Sequence, residues 1–295
     1  MQYSATDLIG VFFSAVLTAG LYAVMSYGLA LIYGVMRLIN LSHAGTMMLG
    51  AYVALTLNRA FHLDPILGSL LVLPLFFAIG VALYALMVRR VARSAPIVSL
   101  LLLFGLWLVM QNLAYIVWGN DDQSIVTPYT YASIKLGFLS LAVTRLIVFG
   151  AGLAVLAALA WFMARTYTGK AIRAVSLNYE ASRLVGIDVQ RISALAFGLG
   201  TALAAFAGAQ LTLLFSFTPD FGGVFQIKAF AVIVLGGLTS FVGVAVGSLL
   251  LALVESFGAL YMRASLQNLL SFGLLFVALV FMPGGVMSLV RGRRR

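Results

Sequence analysis

The side chains best placed to do chemistry or to bind a partner lie in residues 165–192, which read RTYTGKAIRAVSLNYEASRLVGIDVQRI. In a chain of which only 9% is charged, this segment carries five basic residues: Arg165, Lys170, Arg173, Arg183 and Arg191. Long apolar runs flank it on both sides. The segment is therefore either a positively charged loop that sets the topology of a membrane protein or a surface that docks into a groove of another protein.

The spacing within residues 165–192 predicts two short helices joined by a corner, and we call this unit the knuckle. Thr168 can cap a first helix over residues 169–177 and Asn178 can cap a second, because their side-chain oxygens can accept unpaired amide hydrogens. Gly186 can take the left-handed conformation that ends the second helix. The expected apolar faces are Ala171, Ala174 and Val175 in the first helix and Ala181, Leu184 and Val185 in the second.

A second polar string lies within residues 28–52, GLALIYGVMRLINLSHAGTMMLGAY. Its members are Arg37, Asn40, Ser42, His43 and Thr46, set between apolar arms that carry Gly34, Gly45 and Gly50. Polar side chains among membrane helices are costly unless they face water or each other. Two interpretations stay open: a turn outside the membrane capped by Asn40 or Ser42, or the wall of a polar passage.

Glu255 is the one acidic residue inside an apolar run. An intramembrane carboxylate is a functional candidate, and it can equally be structural, bonding to a neighbouring helix or neutralised by a proton near the membrane surface. Three further polar residues fall in apolar runs: Gln111, Asn112 and Gln210. They can line a path or bond between helices, and we favour the second.

Several kinds of site are not expected. The chain has no Cys, and its two histidines, His43 and His62, are too far apart in the sequence to suggest a metal site. Gly169-Lys170 is followed by Ala171 and lacks the upstream glycine of a P-loop, and no Ser-His-Asp arrangement is evident. We therefore expect no cofactor, no metal and no ATPase site in this chain.

The elements that must position these residues are membrane helices. The 295 residues are 63% hydrophobic with a mean hydropathy of +1.11, more apolar surface than a soluble domain can bury. The apolar runs last about twenty residues, the length of a spanning helix. They cover residues 9–35, 42–57, 66–88, 97–117, 144–164, 193–217, 225–238, 242–261 and 266–290.

This pattern predicts an all-α polytopic membrane protein with about eight or nine crossings in one domain, residues 1–295. The run 225–238 would span only about 21 Å as a helix, less than the roughly 30 Å hydrocarbon core. We therefore expect a short or broken helix in the C-terminal half, ending at Gly236-Gly237, because free backbone is tolerated at that depth only inside protein or beside water.

Basic residues favour the knuckle side of the membrane, which the positive-inside rule makes cytoplasmic. With the knuckle inside, Arg37, Arg89, Arg90, Arg93, Arg291, Arg293, Arg294 and Arg295 also fall inside, whereas Arg59, Lys135, Arg145, Lys228 and Arg263 fall outside. This predicts an external N-terminus, an internal C-terminus and an odd number of crossings. The longest external loop, residues 119–143, is either a plain connector or a landing surface for an extracytoplasmic partner.

Three segments resemble the permeases of high-affinity branched-chain amino acid ABC importers, the LivH type. The first matches GLxLIYGVxRxINxxHG followed by GAY, with His43-Ala44-Gly45 where the family usually has His-Gly. The second is Glu180-Ala181-Ser182 with Gly186, similar to the EAA-x3-G coupling loop that sits in a cleft of the cytoplasmic ATPase. There Ser182 replaces an alanine, and the usual Leu-Pro is missing. The third matches LGGxGSxxGAxxGxxLLGxxE at five positions: Gly236, Gly237, Gly243, Gly247 and Glu255.

The resemblance implies roles for two sets of residues. Coupling to the ATPase would fall to Gly169, Arg173, Glu180, Ala181 and Gly186. The translocation path would involve Asn40, Ser42, His43, Thr46, Gly236, Gly237 and Glu255. It also implies a second homologous permease, two ATP-binding subunits and a soluble extracytoplasmic binding protein, in the cytoplasmic (inner) membrane. Related permeases serve urea and short amides, and specificity would reside largely in the binding protein.

Two other classes of function remain to be weighed against ATP-driven import of branched-chain or related small amino acids. One is an ion-coupled secondary transporter that uses Glu255 as its proton or sodium group. The other is a membrane receptor or scaffold without transport.

Overall fold

The chain is almost entirely helical in the computed structural model, which describes residues 4–92, 94–137, 139–238, 240–262, 266–282 and 284–286. The basic residues Arg93, Arg263, Arg291, Arg293, Arg294 and Arg295 lie outside the described residues. The helices are α1 (Ala5–Met36), α2 (Ser42–Phe61), α3 (Pro65–Val91), α4 (Pro96–Trp118), α5 (Val143–Arg165), α6 (Tyr167–Leu177), α7 (Tyr179–Leu184), α8 (Val189–Leu211), α9 (Phe221–Gly236), α10 (Phe241–Tyr261) and α11 (Gln267–Phe281).

Each predicted apolar run corresponds to one helix, so the prediction of an all-α polytopic membrane protein is confirmed. Within the described residues, six helices are long and apolar enough to cross a membrane: α1, α3, α4, α5, α8 and α10. Helix α9 has 16 residues, which is about 24 Å, and it ends where Gly237 takes φ 97°. The short C-terminal helix is therefore also confirmed.

Helix α8 is the central element of the bundle. Small residues let its backbone touch its neighbours: a Cβ on Gly208 would lie 1.8 Å from the Met47 carbonyl oxygen of α2, and one on Gly200 would lie 2.6 Å from the Gly28 carbonyl oxygen of α1. Helix α3 approaches as closely at Gly198. Close backbone packing takes the place of a hydrophobic driving force between helices in lipid. Helices α1, α2 and α3 are thereby arranged around α8.

Two features of the fold are not evident from hydropathy. Within the predicted external loop, β1 (Ser133–Leu136) and β2 (Leu139–Ala142) pair antiparallel, with Ser133 opposite Ala142. Helix α3 widens into a π-helical stretch at Tyr84–Val88 before it ends. Both features depend on local backbone hydrogen bonds that leave no signal in a twenty-residue average.

The loop that carries the hairpin is fastened to the helices beneath it. Gln123 pairs with Phe217 through backbone hydrogen bonds in both directions, each 2.9 Å. The Tyr129 hydroxyl donates to the Asp64 carboxylate at 3.0 Å, and burial together with this hydrogen bond raises the pKa of Tyr129 to about 12. The hairpin end of the bundle is thus an ordered surface.

Two expectations need correction. Helix α6 begins at Tyr167 and its cap is Thr166, not Thr168, because the extended backbone at Thr166 lets its hydroxyl accept from the Gly169 amide at 3.0 Å. Lys228 was expected among the basic residues on the external side of the membrane. It lies within α9, where its side chain is 12% exposed. Its charge is accommodated by a carboxylate in a neighbouring helix, described below.

Candidate functional site

The knuckle has the two-helix geometry that its sequence predicts. Asn178 ends α6 and caps α7, because its side-chain oxygen accepts from the Ala181 amide at 3.0 Å. Helix α7 ends in a Schellman motif: the Gly186 amide donates to the Arg183 carbonyl and the Ile187 amide to the Ser182 carbonyl, both at 3.1 Å. This motif requires the left-handed φ of 83° that Gly186 adopts.

One face of the knuckle is anchored to the bundle. Ala171, Ile172 and Val175 are buried on the inner side of α6. A Cβ on Gly169 would lie 2.4 Å from the Phe162 carbonyl oxygen, and the Arg173 guanidinium donates to the Met163 carbonyl at 3.2 Å. Two of the predicted coupling residues, Gly169 and Arg173, thus fasten the knuckle to the end of α5.

The opposite face of the knuckle is open. Glu180, Ala181 and Gly186 are exposed, and Glu180 forms an exposed 3.6 Å ion pair with Arg183. Beside them stand three apolar side chains with large exposed fractions: Leu184 at 89%, Leu177 at 81% and Val185 at 76%. Ser182, at the position where the coupling-loop pattern has alanine, is buried and donates to the Asn178 carbonyl at 2.8 Å. The result is an apolar tip with charged flanks.

Four members of the polar string, Asn40, Ser42, His43 and Thr46, are buried rather than placed in a surface turn, whereas Arg37 is exposed. His43 Nε2 lies 2.9 Å from the carbonyl oxygen of Met25, which is eleven positions, or about 16 Å, before the end of α1. The chain therefore runs back along α1 without helical structure before α2 starts at Ser42. Such backbone is tolerated in a membrane protein only inside the protein or beside water.

The four predicted path residues of this string bond mainly to one another. Ser42 donates to the Asn40 side chain at 2.6 Å, and the Thr46 hydroxyl donates to the Ser42 carbonyl at 2.9 Å. Gln226 of α9 donates to the Asn40 carbonyl at 3.0 Å. His43 Nδ1 and Gln226 Oε1 are buried with no partner among the described residues. Unpaired polar atoms of this kind need water or a second conformation.

Glu255 joins four helices through one buried cluster. Its carboxylate lies 3.0 Å from Lys228 Nζ of α9, and it accepts hydrogen bonds from the hydroxyls of Tyr22 of α1 and Ser271 of α11. Lys228 also donates to the Tyr22 hydroxyl at 3.2 Å. The carboxylate is thus bonded to neighbouring helices, in line with the structural alternative stated above, and its counter-charge is Lys228 rather than a proton.

The sequence interpretation missed Lys228 and its partners as part of this site. The signal available was a lone lysine in one apolar run and a lone glutamate in another, since intramembrane charges pair with one another. Tyr22 and Ser271 carry no such signal. Their place in the cluster depends on how the helices pack.

The glycines of the third matching segment hold α9 and α10 together. A Cβ on Gly236 would lie 2.1 Å from the Gly243 carbonyl oxygen, and one on Gly243 would lie 1.9 Å from the Gly236 carbonyl oxygen. A Cβ on Gly247 would lie 2.4 Å from the Val232 carbonyl oxygen. Gly236 and Gly237, both expected near the path, therefore form the corner of a tight helical hairpin.

A comparison of the sequence with known protein families gives a match over most of the chain. The model described as "Branched-chain amino acid transport system / permease component" covers residues 11–279. The chain belongs to this family. Membership makes it a transport component, a permease whose helices form the membrane part of the system.

Similar permeases cover nearly the whole length of the chain. The permease protein BraD of the high-affinity branched-chain amino acid transport system of Pseudomonas aeruginosa is 30% identical over 90% of this chain and 91% of its own length. LivH of Escherichia coli K12 is 27% identical over 94% of both chains. The autoinducer 2 import permease LsrC of Klebsiella pneumoniae is 31% identical over 45% of this chain and 40% of its own length. No solved structure matches.

Three further polar residues of this permease, Gln111, Asn112 and Gln210, were expected to bond between helices, and two of them do. Gln111 donates to the Asp220 carboxylate at 2.6 Å and Gln210 to the Ser69 hydroxyl at 2.9 Å, so both connect different helices or their ends. Asn112 instead donates to the Leu108 carbonyl of its own helix. An ion-coupled transporter built on Glu255 has no support from the family or from this site.

Proposed function

We propose that this chain is the membrane-spanning subunit that moves branched-chain or related small amino acids inward, driven by ATP hydrolysis on separate partner subunits. The family and the names of the similar permeases support the substrate class. The observation that carries the ATP-driven mechanism is the apolar tip of the knuckle. Leu177, Leu184 and Val185 are displayed on a rigid, capped corner, which is an arrangement suited to insertion into a groove of another protein.

The partners in this proposal are a second homologous permease, two ATP-binding subunits and a soluble extracytoplasmic binding protein. Each ATP-binding subunit receives one knuckle, with Glu180, Ala181 and Gly186 at the contact and Gly169 and Arg173 behind it. The ordered hairpin surface at the other end of the bundle offers the binding protein a place to land. Specificity then belongs largely to that protein.

The knuckle faces the cytoplasm in this proposal, with the N-terminus outside and the C-terminus inside. The distribution of basic residues supports this orientation. Because the chain has no Cys, single cysteines can be placed at Leu184 and at Tyr131, which is exposed at the hairpin end. In intact cells a membrane-impermeant maleimide should label Tyr131→Cys and spare Leu184→Cys, and the reverse pattern contradicts the orientation.

Motion of the knuckle reaches the bundle through α8. Helix α8 begins at Val189, five positions after α7 ends at Leu184, and Asp188 caps it by accepting from the Arg191 amide at 3.1 Å. A push on α7 is therefore delivered to the start of the helix around which α1, α2 and α3 pack. We propose that this displacement opens a path beside Asn40, Ser42, His43 and Thr46, where buried polar atoms have no partner among the described residues. The path also passes the Gly236-Gly237 corner. Glu255 links the helices that form one wall of this path.

Proteoliposomes that contain the permease with its ATP-binding subunits and binding protein test the proposal. Leu184→Arg and Gly186→Arg should leave insertion intact and abolish ATP-driven uptake, because they place charge on the docking tip. Phe61→Arg is the matched control, since Phe61 is 68% exposed and belongs to α2 rather than to the knuckle. Normal uptake by the knuckle variants contradicts the docking role. Uptake that needs no ATPase and collapses with an ion gradient contradicts the importer itself.

A further inference from the structure

A cleft of about 410 Å³ separates the knuckle from the ends of α1 and α3. Three arginines line it, one from each element: Arg37 just after α1, Arg89 near the end of α3 and Arg183 in α7. Glu180 is the acidic residue among its lining residues. The volume lies within the roughly 300–1,000 Å³ range of small-ligand pockets. The cleft is therefore a cavity of ligand size with an excess of positive charge.

The guanidinium groups of this cleft are incompletely paired. Arg37 donates to the Ser176 carbonyl at 3.3 Å, and Arg183 meets Glu180 at 3.6 Å. Of the carboxylates in the described residues, none lies within ion-pair distance of Arg37 or Arg89. A guanidinium carries five N–H donors in a planar fork that fits phosphate oxygens. Most of these donors remain available to a bound anion.

Arg37 is the residue that ends α1, and it lies at the edge of the cleft. Arg37 has φ 56°, one of two non-glycine residues with positive φ in the described chain, and its amide donates to the Tyr33 carbonyl at 2.8 Å. A left-handed conformation costs a non-glycine residue about 1 kcal/mol or more. A left-handed residue is a common ending of an α-helix, and here it sets the boundary between α1 and the cleft.

We propose that this cleft binds the phosphate group of an anion, and that its principal source is the headgroup of an anionic phospholipid in the leaflet on the knuckle side. The apolar surroundings favour a lipid over free phosphate. Val35 and Met36 contribute apolar lining, and Leu86 and Met87 lie exposed on α3 directly before Arg89. Acyl chains can rest on that surface while the phosphate enters between the arginines. The bound lipid then bridges the knuckle to α1 and α3.

The proposal predicts a site, which can be distinguished from diffuse attraction of basic residues to an anionic membrane. The full-length permease, purified with its partner subunits, is exposed to phosphatidylglycerol in phosphatidylcholine nanodiscs, and retained phosphatidylglycerol is counted by native mass spectrometry. Arg37→Gln/Arg89→Gln should weaken retention about a hundredfold, about tenfold for each charged hydrogen-bond donor that is lost. The control, Arg90→Gln/Arg191→Gln, removes two exposed arginines that do not line the cleft, so retention at the site should stay close to that of the wild type.

Free phosphate is distinguished by equilibrium dialysis of the same preparations against labelled inorganic phosphate. Phosphate binding that is lost in Arg37→Gln/Arg89→Gln, without selective lipid retention, supports the anion site with a soluble source. Equal losses in the two double variants for both ligands, or no binding of either, overturn the proposal. Should Arg37→Gln disturb the seating of the knuckle, Arg89→Gln against Arg90→Gln repeats the comparison on neighbouring residues of α3.

Discussion

Helix α8 and the knuckle are neighbours in the chain, and their surfaces differ in nearly every respect. In α8, glycine and alanine bring backbones into contact with α1, α2 and α3, and most of its residues are buried. In the knuckle, large apolar side chains face outward and Leu184 is 89% exposed. The difference indicates that α8 is determined by packing within the chain, whereas the outer face of the knuckle is left uncovered by the described residues.

The largest effect should follow from Gly208→Ala. The new Cβ would lie 1.8 Å from the Met47 carbonyl oxygen, so α2 and α8 must move apart, at a cost of about 3 kcal/mol or more. Gly105→Ala in α4 is the matched control, because its Cβ meets nothing within 4 Å. Thermal unfolding in detergent should show a large drop in Tm for Gly208→Ala and none for Gly105→Ala. Equal Tm values contradict the assignment of α8 as the packing axis.

An effect of comparable size concerns the buried pair of Lys228 and Glu255. Lys228→Met leaves a carboxylate without its cation, and losing one partner of a buried pair typically costs about 3–5 kcal/mol. The double variant Lys228→Met/Glu255→Leu removes both charges and should be more stable than Lys228→Met alone. Thermal unfolding of the two single variants and the double variant measures the coupling. Additive losses would show that the two charges act independently, against the 3.0 Å contact.

The comparison also shows where sequence interpretation succeeds. Within the described residues, hydropathy located the nine helices that follow apolar runs, because a chain in lipid must pair its backbone polar groups within helices, and the long runs follow from that requirement. Cap chemistry located Asn178 and Gly186, because Asn178 accepts from the amide of Ala181 and Gly186 donates to the carbonyl of Arg183, both three positions away. Thr166 and Thr168 differ by half a turn, and hydropathy does not separate them.

What could not be predicted is non-local. The Lys228 ammonium contacts Glu255, which is 27 positions away in the sequence. His43 contacts the Met25 carbonyl because the chain reverses direction after α1, and how far it runs back depends on the packing of α2 against α8. The polar string could be recognised as unusual, but its burial could not be read from residue types. The same holds for the cleft at Arg37 and Arg89, which lie 52 positions apart in the sequence. Both residues line this cleft because the end of α1 lies near the end of α3 in the fold.

A smaller effect is expected in the knuckle from Asn178→Ala. The substitution removes the hydrogen bond to the Ala181 amide, at a cost of about 1 kcal/mol. The loss should be confined to α7, seen as faster amide hydrogen exchange at residues 179–184, with no change in global Tm. Asn112→Ala, which removes a hydrogen bond on α4, should leave the exchange of α7 unchanged. A global loss of stability would mean that the knuckle is part of the packed bundle.

The smallest effect on stability, and the sharpest comparison, comes from one substitution made in both regions. Glu180→Gln breaks an exposed 3.6 Å pair with Arg183, and such pairs contribute about 0–1 kcal/mol, so Tm should not change measurably. Glu255→Gln removes the counter-charge of Lys228 and should lower Tm strongly. The effect of Glu180→Gln should instead appear in ATP-driven uptake. This variant should fold normally and transport less, because the proposed contact with the ATPase is altered. A fall in Tm for Glu180→Gln would mean that the outer face of the knuckle contributes to stability as the interior does. Normal uptake by Glu180→Gln would show that Glu180 is not a coupling residue, and the coupling role of the apolar tip would be unaffected.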